Sequence, residues 1–496
     1  VVIAAYKFLI VMQLKTTGNR YSNPGPSVFL SADKKTARQV KINAISTFRD
    51  RLYFAAEDVI FSTQLGIYED LFLADPSNIV SSDPIDIRAS SKTYAEISSI
   101  TPFSDFLFVN TKGDIQFELR GSENQITPLT AQIAPTSFYA TAKLTEPILM
   151  GSLIYFFDKR RLYMYMTQQG SSLSTAQEIS SHCGDYLPTN YRATCSCPAQ
   201  NTIVTVDDDN PNYLYLYTNR FSGDKVLQNA FYRYILETGN EIESSQVYDN
   251  YLHVVIKKKS QDGSKYEYYI QRTYLQKQDK GIPKLDNYSL MNLYVNSNCS
   301  YNTSTNETRF NIVFPYSFDP SKVLLITDPS DSRWGERKYT VIKPDYVANA
   351  NGIGYIFTVN GNYAVNQARL YIGTKFTMNV ELSTQFVRDQ NNNVIDGVLN
   401  LKTLALRHAD TGNYDIIATR RGKSVIQSKF SALVTNNNLD TLSIENTEKS
   451  GEFVAKVFGF SDTTRIQIVS DYPTPVNIIN MELKGKFTQT YTSLNT

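Results

Sequence analysis

Three adjacent carboxylates, Asp207-Asp208-Asp209, form the one run of three consecutive acids in this chain of 496 residues. Glycoside hydrolysis takes two carboxyls about 5 Å apart, or about 6.5–9.5 Å apart when a water is activated between them, delivered from separate strands. Asn210-Pro211-Asn212 follows at once, so the three acids read as a hairpin loop. Imidazole is scarce: His182, His253 and His408 stand outside any HExxH pattern and beside no obvious nucleophile. GxSxG and GxGxxG do not occur, and Gly422-Lys423-Ser424 ends like a phosphate-binding loop but has Ile417 where the first glycine belongs. Asp389, Asn391 and Asn393 alternate like the start of a calcium loop, yet Val394 replaces the turn glycine and Asn400 the closing glutamate. His182-Cys183 with Cys195-Ser196-Cys197 fits no CxxC ribbon or finger spacing. The expectation is a protein with no catalytic residues, no metal ligands and no cofactor.

Charge points away from tight nucleic-acid binding. There are 49 Lys and Arg against 48 Asp and Glu, a net charge of +1, so no overall field draws the chain onto DNA or an anionic membrane. The most apolar stretch, VVIAAYKFLIVMQL at 1–14, is broken by Lys7 and is short of the ~20 residues a membrane helix needs. It carries no signal-peptide cleavage pattern. Four cysteines, Cys183, Cys195, Cys197 and Cys299, are too few and too unevenly placed to staple such a chain, which points to synthesis in a reducing cytoplasm. The sequence opens inside an apolar strand without Met, and is expected to be the remainder of a longer polypeptide.

The elements that must carry these groups are strands. Aromatics make up 12%, with 34 Tyr and 26 Phe against one Trp, a composition suited to pleated surfaces. The stretch FRDRLYFAAEDVIFSTQLGIYEDLF from Phe48 reads as a β-hairpin, turning at Ala56-Glu57-Asp58. Its pattern returns as FLFV with DIQFEL, SLIYFF with RLYMYM, NTIVTV with YLYLYT, and NYLHVV with KYEYYI. Aligned on Leu52, Leu107, Leu153, Ile203 and Leu252, the copies are 55, 46, 50 and 49 residues apart. Antiparallel repeats of about 40–50 residues signal a β-propeller. The predicted fold is therefore all-β: an irregular propeller with five blades in this chain, followed by a β-sandwich or platform-like region.

Four segments are expected. Residues 1–47 form an amino-terminal strand (Phe8 to Leu14) and linker with a basic patch at 34–38; 48–278 hold the blades, ending at QKQDKGIPK; 285–396 form a platform-type β region; 397–496 form a sandwich-like module. The asparagine-rich stretch 295–309 reads as a polar hairpin tip with no core residues, and Asp410 to Tyr414 has the spacing of an immunoglobulin-type tyrosine corner.

Ordered local motifs run from near residue 23 to near 480. Asn23-Pro24-Gly25-Pro26-Ser27 precedes the first hairpin; Arg49-Asp50-Arg51-Leu52-Tyr53-Phe54 reads as a strand, with Ala56-Glu57-Asp58-Val59-Ile60-Phe61-Ser62 as its return. Ser82-Asp83-Pro84-Ile85-Asp86 comes next, then Pro102-Phe103-Ser104-Asp105, Gln116-Phe117, Ile179 to Pro188 around His182, and Thr474-Pro475-Val476-Asn477-Ile478-Ile479. Together these resemble the tail tubular protein B, or tail nozzle, family of short-tailed phages, with Ser82 standing where the family has an acid. The structural motif residues carried over are Arg49, Arg51, Asp83, Pro84, Asp86, Pro102 and Phe103.

The resemblance implies a virion tail protein made in the host cytoplasm and no enzymatic activity. It implies a homo-oligomer, a hexameric ring docked to the tail adaptor protein and the tail fibre protein. The ring would pass double-stranded DNA transiently through its lumen and meet the host cell surface at its tip. A sixth blade and part of a platform are expected in the longer family members, outside this sequence. The competing possibility is a carbohydrate-binding or glycoside-hydrolysing propeller on a virion or cell surface, for which abundant tyrosine would serve sugar stacking.

Overall fold

The computed structural model describes residues 25–29, 39–91, 94–122, 125–142, 145–167, 174–222, 225–260, 263–275, 282–312, 318–348, 354–391, 393–432 and 448–489. The expected strand at Phe8 to Leu14, the basic patch at 34–38 and most of the linker at 276–284 lie outside them. The described residues are all-β, arranged as nine antiparallel sheets. Two compact units emerge: residues 1–258 with 268–276, and residues 259–267 with 277–496.

Five successive meanders build the first unit. Strands β1 (Ala44–Phe48), β2 (Arg51–Ala56), β3 (Val59–Ser62) and β4 (Asp86–Arg88) form one sheet; β5 (Ile97–Phe103), β6 (Phe106–Thr111), β7 (Gln116–Arg120) and β8 (Gln132–Ser137) form the next. The third holds β9 (Ile148–Met150), β10 (Leu153–Asp158), β11 (Arg161–Thr167) and β12 (Ser174–Glu178), and the fourth β13 (Tyr191–Cys197), β14 (Thr202–Asp207), β15 (Tyr213–Ser222) and β16 (Lys225–Ile235). The fifth has three described strands, β17 (Glu241–Tyr248), β18 (Tyr251–Lys259) and β19 (Tyr266–Tyr274).

The repeated hairpins of the sequence are the second and third strands of these meanders. The strand ahead of each pair is a further element, because a tight turn precedes every copy. Arg49 and Asp50, read from the sequence as strand, are that turn in the first copy, with φ of 46° and 58°. Ser104-Asp105, Gly151-Ser152 and Asp249-Asn250 do the same elsewhere, each with left-handed backbone, the conformation that matches strand twist in two-residue hairpins.

Alternation along the central strands explains their uninterrupted apolar runs. Tyr53 and Ala55 of β2 share a core with Leu107 and Val109 of β6, while Phe54 and Ala56 pack under Val28 and Leu71. Phe106 and Phe108 face Ile154 and Phe156 of β10; Tyr155 and Phe157 face Tyr191, Ile203 and Tyr215. Val204 and Val206 of β14 meet Leu252, Val254 and Ile256 of β18. The first four sheets thus bury both faces of their central strands, whereas β18 and β19 of the fifth bury at most one, and a fully buried Phe or Leu contributes about 1.5–3 kcal/mol over its exposed state.

The second unit contains two sheet pairs. One joins β20 (Asp286–Asn292), β27 (Arg369–Thr374), β23 (Val323–Thr327) and β24 (Val341–Ile342) to β21 (Cys299–Asn302), β22 (Glu307–Ile312), β26 (Tyr355–Asn360) and β25 (Asp345–Ala348), around Trp334, Phe310, Leu325 and Phe357. The stretch 295–309 is a hairpin, but it is not free of core residues: Cys299 pairs with Phe310 across the ladder and both are buried. The other pair sets β28 (Met378–Leu382), β33 (Thr464–Ser470), β30 (Tyr414–Arg420) and β31 (Ile426–Phe430) beside β32 (Lys449–Phe460), β29 (Gly397–Thr411) and β34 (Ile478–Gln489).

Tyr414 opens β30 fully buried, as a tyrosine corner would, but its hydroxyl meets a side chain, His408 Nδ1 at 3.2 Å. The imidazole also lies 4.4 Å from the Phe430 ring. Burial holds His408 below the usual imidazole range, against a raising contribution from a hydrogen bond to Leu406, and pushes Tyr414 up to about 12. A lowered folded pKa gives stability that is complete above the unfolded value of about 6.5 and is lost as pH falls through the folded one. The melting temperature of this module should therefore drop between pH 7 and pH 5, and His408→Gln should flatten that drop. Identical pH profiles for the two proteins in scanning calorimetry would show that His408 is not the titrating group.

Candidate functional site

The motif residues converge where the first meander turns back on itself. Arg51, only 2% exposed, donates through Nη1 to the carbonyls of Thr63 and Asp83 at 2.8 and 2.7 Å and through Nη2 to that of Ser81 at 2.7 Å. The connection between β3 and β4 is thereby pinned to the start of β2. Asp83 is buried as well, its carboxylate accepting from the Val80 amide at 2.8 Å, and Pro84 is buried beside it. Burial lowers the Arg51 guanidinium, while the Tyr53 and Asp83 charges oppose that shift; Tyr53 is pushed up to about 12. Asp86 binds Ser27 of the proline-rich segment, through its amide at 2.6 Å and its hydroxyl at 3.1 Å.

Arg49 does not join this cluster. Its guanidinium reaches the Ser104 carbonyl at 3.4 Å and lies over the Phe48 ring at 5.0 Å. Ser104 belongs to the turn after Pro102 and Phe103, and Phe103 packs edge-on against Phe106 at 5.2 Å. Asp105 in the same turn holds Arg120, which also binds the buried Glu118 at 2.7 Å and covers the Phe106 ring. Burial works against the Arg120 charge, but its hydrogen bond to Glu118 and the nearby acids raise the guanidinium overall. Glu118 in turn accepts from the Tyr165 hydroxyl at 2.6 Å, a tie between the second and third sheets.

Gln116 is fully buried: its amide nitrogen donates to Tyr139 O, and its Oε1 accepts from Ser137 Oγ and the Tyr139 amide. Near the carboxyl end, Gly412 donates to Pro475 O, Asn413 to Thr474 Oγ1, and Asn477 to Thr411 Oγ1 and Asp410 O. These motifs clasp turns.

The groups singled out for chemistry are occupied in the same manner. Asp207 accepts from the amides of Asp209 and Asn210 and from the Asn210 side chain; Asp208 pairs with Arg192 at 2.8 Å; Asp209 receives Asn190 Nδ2. Asp389 closes its own turn onto Asn391 and Asn393. Gly422-Lys423-Ser424 is the β30–β31 turn, clamped by Arg420 on Ser424 O. Cys195 and Cys197 are buried opposite Ser245 and Asn250, and desolvation pushes the Cys195 thiol up to about 11. Among the described residues no three or more His, Cys, Asp or Glu gather as metal ligands.

Sequence reasoning missed Glu118, Arg120 and Tyr165. They lie up to 47 residues apart, and only the period of the repeat could have hinted that their strands meet.

The described residues form an all-β scaffold whose buried polar groups fix turns and join sheets. Residues 11–494 match the bacteriophage nozzle protein family, and the chain belongs to that family of structural tail proteins, a component of the virion tail. It is 21% identical over 494 residues to the tail tubular protein gp12 of Escherichia phage T7, covering 95% of this chain. The chain spans 58% of that relative's length. Solved structures resemble it weakly. A chain described as a 6-phosphogluconolactonase from Bacteroides uniformis aligns at 11% identity over 46% of this chain and 73% of its own, with a TM-score of 0.30. Kluyveromyces lactis Hsv2 aligns at 8% identity over 65% and 99%, with a TM-score of 0.27.

Arg51→Leu should remove three hydrogen bonds from the β3–β4 connection and lower stability by about 3 kcal/mol. Arg49→Ala, with its long and exposed bond, should stay within about 0.5 kcal/mol of the parent. Urea unfolding of the two variants measures the contrast, and equal midpoints would remove Arg51 from its pinning role.

Proposed function

We propose that this chain is the wall element of a hexameric nozzle, the lower part of a short-tailed phage tail through which the genome leaves the capsid. Membership of the nozzle family over nearly the full length carries this proposal. In it, the five meanders of residues 48–278 are blades of an irregular propeller, residues 285–396 a platform and residues 397–496 a sandwich. The motif residues Arg49, Arg51, Asp83, Pro84, Asp86, Pro102 and Phe103 serve blade architecture rather than reaction.

The physical chemistry agrees. Each Lys or Arg paired to a phosphate deepens a salt-dependent well in which moving DNA would stall, and a net charge of +1 keeps that well shallow. The first four sheets, with central strands buried on both faces, leave few hinges, which suits a wall under pressure. A ring then repeats one heterologous interface around a closed axis. The partners in this proposal are the tail adaptor above, the tail fibres at the side, duplex DNA in the lumen and the host surface at the tip. Glycoside hydrolysis is disfavoured, since Asp207 is engaged within its own loop and Asp208 and Asp209 are engaged by Arg192 and Asn190.

Negative-stain microscopy of the purified chain, alone and with the adaptor ring, should show six-fold rings with an open axis. Retention of duplex DNA at physiological salt should be no tighter than the non-specific range of about 10⁻⁴–10⁻⁶ M. A stable monomer that cleaves a glycan would end the nozzle assignment.

A further inference from the structure

An open, polar cavity of about 580 Å³ lies in the first sheet pair of the second unit. Two arginines form its walls. Arg333 is held by Asp331, 3.2 Å away and 4% exposed, and donates to the Gln367 carbonyl at 3.1 Å. Arg369 lies 2.8 Å from the carboxylate of Asp328, which is 1% exposed, though not aligned as a hydrogen bond, and donates to Ser330 Oγ at 2.7 Å. Asp331 is itself fixed by the backbone amides of Arg333 and Arg369, at 3.0 and 2.8 Å; burial opposes its charge, but these bonds and Arg333 hold its carboxyl below the usual range.

Both guanidiniums are thus anchored from behind by buried carboxylates. Arg333 and Arg369 remain 49% and 39% exposed, and Nε and Nη2 of Arg333 and Nη1 of Arg369 have no protein partner among the described residues. Asp328 lies outside the lining, whereas Asp331 shares it with the two arginines, and the half-exposed guanidiniums keep donors to spare beside it. Preorganised arginine forks match carboxylate and phosphate oxygens. Asn292, Tyr294, Ser330, Ser332 and Gln367 complete the lining, amide and hydroxyl groups beside a half-exposed tyrosine.

We propose that this cavity binds an acidic saccharide, with a uronate carboxylate between Arg333 and Arg369 and a sugar ring against Tyr294. A nucleic-acid backbone fits less well, because no lysine lines the cavity and both arginines are committed to fixed directions rather than to a flexible charged surface. The proposal goes beyond the nozzle function and stands apart from it: a failed ring assay leaves it untouched, and a failed binding assay leaves the nozzle untouched.

Calorimetric titration of the whole chain tests it, with galacturonate trimer, maltotriose, inorganic phosphate and a short DNA duplex as probes. Galacturonate trimer should bind and maltotriose should not. Arg333→Gln and Tyr294→Ala should each weaken that binding about tenfold or more with unchanged melting temperature, and Ser332→Trp should block it by filling the rim. Failure of the parent chain to bind the trimer, equal affinity for maltotriose, equal affinity in all three variants, or preference for phosphate or the duplex through these residues would each overturn the proposal.

Discussion

Burial of both faces of the central strands in its first four sheets is the constraint on which the first unit depends. A sheet of three or four short strands has little interior of its own, so its apolar side chains must be covered by the next sheet. Phe106 and Phe108 go to one neighbour, Leu107 and Val109 to the other, and the same division repeats at β10 and β14. Aromatic rings suit this task because they fill the space between twisted sheets while contacting several partners. Phe108 with Tyr165, and Phe157 with Tyr191, bring ring centroids to 4.6 Å across sheet boundaries.

Such packing leaves the turns to polar groups. Arg51 is the strongest case: a cation taken almost wholly out of water, satisfied by three carbonyls of one long connection. Gln116, Glu118 and Asp207 act similarly in later meanders, each accepting or donating several bonds to backbone or neighbouring sheets. Leaving a buried polar group unpaired costs about 1–3 kcal/mol. These side chains are therefore held to one geometry, and little of their capacity is left for reaction. The anchored but outward-facing arginines at the cavity of the second unit are the exception.

The family places this chain in the virion tail, and its first unit covers most of its apolar surface by packing sheet against sheet. The second unit follows the same rule with different means, since two sheets closed around Trp334, and two more closed around Leu404 and Ile416, each form a core of their own.

Much of the strand content was legible in the chain itself, because alternating and aromatic-rich runs such as Leu153 to Phe157 have a local cause. The period of the hairpins, the family and the lack of any catalytic spacing were legible for the same reason. The first strand of each meander was not, since its residues, as in Ile97 to Phe103, mix polar and apolar types and gain their pairing only from the hairpin that follows. The cluster around Arg51 was visible as a motif but not as a mechanism: which carbonyls a guanidinium reaches depends on a connection 12 to 32 residues away folding back. The same holds for Tyr414 meeting His408 in place of a backbone carbonyl, and for Arg333 and Arg369 opening onto one cavity. Local pattern determines which segments extend and which face is apolar, because those are properties of near neighbours. Which distant side chains meet is decided by tertiary packing alone, because those energies exist only after the sheets have closed on one another.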